Sequence, residues 1–202
     1  MSVIELDKLA SEIISGTVVS RLESKDGNKI DKIGVLTLKS ISNGKIDTEY
    51  IQSINVSKRV QDNKLTKYGD IIIKMSTPYD SVYIEKEFED MIVPSFCCLI
   101  RGTQNEIVDP YYLVGYLNSA LAKEYLFTSN SSSAASLLKI RDIKKLPVPL
   151  PEIVEQRAIG KVFQTCSERQ VLLTKMMTHE MRMAENIVMD SVREVLKYEE
   201  KK

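Results

Sequence analysis

The chain has 202 residues, 43% apolar and 28% charged, which suffices for a packed core and argues against disorder. Lys plus Arg number 28 and Asp plus Glu 28, so the formal net charge is zero, and a polycation that coats nucleic acid or membrane is excluded. No stretch approaches the roughly 18 apolar residues of a membrane span. The start, Met1-Ser2-Val3-Ile4-Glu5, lacks a signal-peptide apolar region. Cys97, Cys98 and Cys166 form no CxxC and cannot all pair, so a reducing, cytoplasmic chain is expected.

Ile33 to Leu38 and Ile71 to Ile73 read as short strands beside Gly34, Gly44 and Gly69, and Asn43-Gly44 as a tight turn. Val93 to Ile100 reads as another strand, with Pro94 marking its start as an entry or edge. Adjacent Cys97 and Cys98 would face opposite sides of it, so they read as buried small hydrophobes. Pro110 to Leu121 reads as one helix with proline in its first turn. Ser129 to Ser136 is a small polar loop, and Leu137 to Leu146 is basic. Pro147, Pro149 and Pro151 then make a stiff extended stretch, because each proline sets its own φ and biases its predecessor away from helix. The expected fold class is α/β (α+β-type): a mixed domain over residues 1–145, a proline-rich connector over 146–151, and a long helix over 152–202.

The helix is rich in Glu, Arg, Lys, Met, Leu and Ala, all good helix formers. Its apolar positions recur at threes and fours: Ile159, Val162, Cys166, Leu173, Met176 or Met177, Ala184, Ile187 or Val188, Val192 and Val195. Arg169 or Gln170 and Glu180 or Met181 fill the gaps. A stripe of this kind suits a two-helix seam. At about 1.5 Å per residue the helix would run roughly 70 Å, more than the domain before it can cover, so the stripe calls for a second helix.

Catalytic constellations are absent from the pattern. His179 is the only histidine and sits mid-helix, so neither a Ser-His-Asp set nor a zinc site is expected. No glycine-rich phosphate loop is present, and no carboxylate pair stands out by spacing. Neither a metal nor a cofactor is expected. What remains is local charge: Lys58-Arg59 with Lys64 and Lys67, and Lys139, Arg141, Lys144 and Lys145, against an acidic run from Glu85 to Asp90. Basic groups beside Ser, Asn and Tyr suit phosphate contacts on DNA.

Val148-Pro149-Leu150-Pro151-Glu152-Ile153-Val154-Glu155-Gln156 resembles the Pro-Leu-Pro-Pro-Leu-Glu-Glu-Gln segment of type I restriction-modification DNA specificity subunits. It departs at Glu152, where the family has a second proline, and at Val154, where it has the first glutamate. Ile14-Ser15-Gly16, Leu65 to Ile73 with its Gly69-Asp70, Tyr112 to Ser119, and Ile140 to Pro149 resemble the family's other signatures in the same order. The resemblance implies a target recognition domain followed by a conserved helix that packs antiparallel on a second one. Members usually carry two of each, and this sequence has one of each, so it resembles a half-sized subunit. A homodimer on an interrupted palindrome is the expectation.

The resemblance further implies a non-catalytic DNA-reading subunit in the cytoplasm, with double-stranded DNA, a methyltransferase (modification) subunit and a restriction subunit as partners. S-adenosylmethionine and ATP would be bound only by those partners. The alternative on the same scaffold is a regulator or decoy that occupies methyltransferase subunits without reading DNA. Residue type and place nominate the base contacts: Lys74, Ser76, Thr77, Tyr79 and Asp80 in one turn, and Ser129, Asn130 and Ser131 in the serine loop. Arg21, Lys58, Arg59, Lys139, Arg141 and Lys144 are the backbone-contact candidates.

Overall fold

A computed structural model describes residues 2–24, 31–130 and 137–199, with side chains described up to residue 193. Two units divide the chain, Met1–Thr165 and Cys166–Lys202. The first unit opens with β1 (Ser2–Glu5), β2 (Ala10–Ser15), β3 (Asp31–Val35), β4 (Ile41–Ser42), β5 (Lys45–Ile46) and β6 (Gln52–Val56). It continues with β7 (Ile71–Lys74), β8 (Ser81–Tyr83) and β9 (Cys97–Thr103), then α1 (Pro110–Asn118), α2 (Ala120–Ser129), α3 (Ile140–Lys144) and β10 (Pro147–Leu150). The last element, α4 (Ile153–Glu199), begins in the first unit and forms the second.

An antiparallel sheet in the order β2-β9-β7-β8 centres the first unit. Ile13, Ile71, Ile73, Cys98 and Ile100 pack on one face with Leu113, Val114 and Leu117 of α1 and Ala122 and Leu126 of α2. Ile72, Val82, Cys97 and Leu99 pack on the other with Leu36, Ile41 and Ile46. A strand covered on both faces reads as a continuous apolar run, which is why Ile71-Ile72-Ile73 does not alternate. Each such side chain contributes about 1.5–3 kcal/mol by leaving water. The two adjacent cysteines do go to opposite layers, as strand geometry requires. A third cluster of Leu22, Val35, Val56, Val60 and Ile92 lies against the β3–β6 pair.

Local chemistry sets the joints. Asn43 (φ 35°) and Gly44 (φ 89°) turn β4 into β5, the left-handed pair that a two-residue hairpin needs. The strand expected from Val93 starts instead at Cys97. Val93 and Pro94 run past Gly16, where Thr17 N donates to Val93 O at 2.8 Å. A Cβ on Gly16 would lie 2.2 Å from both the Val93 and Pro94 carbonyl oxygens, so no other residue fits there. After Pro110 the single helix expected to Leu121 is two. Asp109 caps α1 by accepting from Tyr112 N at 2.9 Å, and extended Ser119 (φ −68°, ψ 155°) ends it. The Ser119 hydroxyl then accepts from Ala122 N at 3.3 Å and caps α2, a role serine fills by competing with the helix backbone.

The proline run is a strand. β10 pairs antiparallel with β1 from Glu5 opposite Pro147 to Ser2 opposite Leu150, burying Val148 and Leu150. A two-stranded ladder tolerates the missing proline N–H groups. The Tyr116 and Tyr112 hydroxyls donate to the Pro147 and Pro149 carbonyls, each at 2.5 Å. The first unit therefore takes in both the proline run and the first turns of α4, beyond the end expected at residue 145. A Cβ on Gly160 would sit 2.5 Å from Asp109 Oδ1 and 2.7 Å from Tyr112 N, so the helix meets the start of α1 through a bare backbone.

In the second unit α4 presents Leu172, Leu173, Met176, Met177, Met181, Met183, Ile187, Val188, Met189 and Val192 at exposures of 46–66%. Cys166 and Ala184 are exposed on it, as are Ile159 and Val162 in the first unit. The side chain of Val195 lies outside the described residues. Among the described residues no helix is long and apolar enough to cross a membrane.

Candidate nucleic-acid interface

The residues that carry the family resemblance build the scaffold. Asp70, buried, accepts from Arg101 Nε at 2.9 Å and Nη2 at 2.6 Å, and from Lys67 N at 2.7 Å. The same guanidinium donates to Leu65 O at 2.8 Å, so the Gly69-Asp70 turn is clamped to β9 by a bidentate pair. Asn118 clamps the outer strand β8: its Nδ2 donates to Ser81 O at 2.9 Å and Val114 O at 2.8 Å, and its Oδ1 accepts from Ser81 N at 3.1 Å. Gln156, 1% exposed, donates to Ile107 O (3.1 Å) and Pro151 O (2.9 Å) and accepts from Asp109 N (3.0 Å). These groups are fully engaged inside the protein and are not candidates for reading DNA.

The β7–β8 turn carries five of the nominated base contacts, and the structure separates them. Thr77 and Pro78, joined by a cis peptide, form the exposed tip, with Ser76 half-buried beside them. The reading of Tyr79, Lys74 and Asp80 as exposed loop groups is corrected. Tyr79 (φ 58°) turns its ring into the core and is 2% exposed. Lys74 and Asp80 are buried as an ion pair at 3.0 Å, and Lys123 Nζ reaches the other Asp80 oxygen at 2.7 Å. Burial works against the Asp80 charge, but the hydrogen bonds from Lys123 and Lys74 outweigh it and hold the carboxyl below its usual range. Lys123 was not legible in the sequence, since its partner lies 43 positions away. Two lysines on one aspartate leave this cluster with one net positive charge.

Two long-range backbone bonds place some of the other candidates. Leu138 N donates to Met75 O at 2.7 Å, which brings exposed Lys139 to the start of the turn, while exposed Arg141 and half-buried Lys144 follow on α3. Ser129 ends α2 and Asn130 is its C-cap, with the Ser129 hydroxyl donating within the helix to Tyr125 O at 2.8 Å. Ser131 lies outside the described residues. Separately, Ser57 N donates to Leu22 O at 2.9 Å and so joins Arg21 to Lys58 and Arg59, all three exposed. Arg59 also meets Asp62 at 3.7 Å, a solvated pair of little energetic weight.

Other chemistry-bearing groups point away from such a role. Tyr111 donates to Glu85 Oε1 at 2.5 Å, and Glu89 Oε1 accepts from Tyr68 N at 3.1 Å, so the Glu85–Asp90 run forms an acidic, tyrosine-backed surface that repels phosphate. Burial pushes the Cys97 and Cys98 thiols up to about 12, which leaves them unreactive. Among the described residues no group of three His, Cys, Asp or Glu side chains could hold a metal ion.

The model of the type I restriction modification DNA specificity domain matches residues 4–180. The type I restriction enzyme EcoBI specificity subunit of Escherichia coli is 24% identical over 131 residues, 64% of this chain and 27% of that protein. Among solved structures, the HsdS subunit from Thermoanaerobacter tengcongensis superposes with a TM-score of 0.62 at 15% identity, covering 87% of this chain and 44% of its own. A chain from a structure describing complex assembly and conformational transition of the type I R-M system gives 0.63 at 15% identity, over 96% of this chain and 49% of its own. The S subunit of a type I restriction-modification system from M. genitalium gives 0.51 at 15%, over 86% and 41%. At that identity the structural likeness is one of fold. This chain spans about a quarter of the curated relative and less than half of each solved chain.

Proposed function

Because the chain belongs to the type I restriction modification DNA specificity family, we propose that it is the DNA-reading subunit of such a system. In this reading it works as a homodimer on an interrupted palindrome. The observation that carries this reading is the family match over residues 4–180, which takes in one strand-rich unit and much of one long helix. A second copy supplies the other recognition unit and a second helix for the exposed stripe of α4.

The division of labour follows from the side chains. Arg21, Lys58, Arg59, Lys139, Arg141 and Lys144 meet backbone phosphates and set the register on the duplex. Thr77 and Ser76 at the turn tip, with Ser129 and Asn130, reach base edges. Lys74, Asp80, Lys123 and the buried Tyr79 hold that tip in place. The chain performs no chemistry itself. A methyltransferase subunit using S-adenosylmethionine modifies adenine, and an ATP-driven restriction subunit cuts.

Zero net charge fits this division, because tight binding then depends on the assembled complex. Co-expression with a type I methyltransferase subunit, followed by mapping of methylated adenines, tests the reading. Two identical half-sites in inverted orientation at a fixed gap are expected. Two unlike half-sites would refute the symmetric dimer. A complex that assembles but methylates without sequence preference would favour a decoy that merely occupies the methyltransferase.

A further inference from the structure

We propose that two copies of α4 pair antiparallel in one register, in which Gln170 of each copy faces Glu180 of the other. The inference rests on the homodimer reading and adds the alignment of its two helices. Along the second unit, Cys166, Gln170, Leu173, Met177, Glu180, Ala184 and Ile187 follow the alternating four-three spacing of a helix seam. Cys166, Leu173, Met177, Ala184 and Ile187 are all exposed, so among the described residues nothing covers this face. Two polar residues interrupt it, and they lie ten positions apart.

An antiparallel pair of identical helices is symmetric about a midpoint, and registers that keep seam against seam differ by whole heptads. With the midpoint near residue 175, Cys166 faces Ala184, Gln170 faces Glu180 and Leu173 faces Met177, each twice by symmetry. Apolar meets apolar, and the Gln170 amide donates to the Glu180 carboxylate. A slide of one heptad in one direction sets Glu180 against Met177 and Gln170 against Ile187. A slide in the other sets Leu173 against Gln170 and Glu180 against Phe163, a ring already packed on Gly115. Either slide buries a carboxylate opposite apolar groups with no donor, which is strongly disfavoured. A polar pair in an otherwise apolar seam fixes alignment in this way.

Cys166 supplies the test, since it is exposed while Cys97 and Cys98 are buried. Ala184→Cys reports the proposed register by a disulfide to the partner's Cys166, and Met177→Cys and Ser191→Cys report the two neighbouring ones. Under mild oxidation with copper phenanthroline, Ala184→Cys is expected to form a covalent dimer at least tenfold faster than either other variant. Cys166→Ser in each background must abolish the product, which shows that the cross-link is not self-coupling at the new site. Adding Gln170→Leu with Glu180→Leu is expected to bring the three rates within about twofold of one another.

Faster coupling of Met177→Cys or Ser191→Cys would overturn the register. An Ala184→Cys preference that survives the double leucine change would overturn the role of the polar pair. Light scattering of the unoxidised chain separates these failures from failure of the dimer: a monomer mass refutes the homodimer, and a doubled mass with the wrong cross-link refutes only the register.

Discussion

Gln156 to alanine is the sharpest probe of how the first unit holds the long helix. The side chain is 1% exposed and makes three hydrogen bonds, to Ile107 O, Pro151 O and Asp109 N. Truncation leaves two carbonyls and one N–H without these partners. Orphaned buried polar groups cost about 1–3 kcal/mol each. Ile107 is a surface residue whose carbonyl can regain water, so the expected loss is about 3 kcal/mol. In a unit of this size that lowers Tm by about 6–12 °C. Urea unfolding followed by tyrosine fluorescence measures it, because eight of the nine tyrosines lie before residue 151. A loss under about 1 kcal/mol would refute the reasoning by showing that water replaces all three bonds.

Gln156→Glu sharpens the same probe through its pH dependence. The new carboxyl would face the Ile107 and Pro151 carbonyls, and only its protonated form can donate to them. Its folded pKa must therefore rise above the ordinary value of about 4.3. Stability is then present below about pH 4.3 and lost as pH rises through the raised value, whereas Gln156→Ala shows no such slope.

Three further outcomes are expected. Leu173→Lys with Met177→Lys should give a monomer by light scattering with an unchanged tyrosine-fluorescence transition, since the changes fall on exposed positions of the second unit. Asp80→Asn should cost about 3 kcal/mol near neutral pH by leaving Lys74 buried without its partner. Because the folded Asp80 pKa lies below 3.8, the wild-type advantage is intact above that value and shrinks as pH falls through the lowered one; an undiminished gap at lower pH would contradict the ion triad. Alkylation at pH 8 should leave Cys97 and Cys98 unmodified in the native protein and reach them only on unfolding, because burial raises both thiols to about 12.

Much of the fold is legible residue by residue. The long helix follows from composition and period, the Asn43-Gly44 hairpin from backbone sterics, and the opposite facing of Cys97 and Cys98 from strand geometry. Each depends on interactions within a few positions. The break at Ser119 was missed because the apolar run continues across it, and only the cap of the next helix marks the boundary. The proline run was legible as extended, but its partner strand β1 lies some 145 positions earlier. For the candidate interface, chain position placed Thr77 at a turn, but not whether its neighbours face outward. Tyr79, Lys74 and Asp80 carry the same polar character and are buried.

The sequence by itself determined the parts whose causes are local: a mixed unit of short strands and helix, a seam-bearing helix, and a set of motifs that identifies the family. Only the tertiary structure decided which polar groups remain available. Asp80 meets Lys123 across 43 positions, Asp70 meets Arg101 across 31, and Gln156 meets Asp109 across 47. The physical reason is that a buried polar group must find a partner wherever the fold brings one. A lysine or aspartate that looks ready for DNA in the sequence can thus be held inside by a residue no local pattern announces. On α4 the reverse applies: among the described residues nothing covers the stripe, and its pattern of apolar and polar positions defines the helix that would fit it.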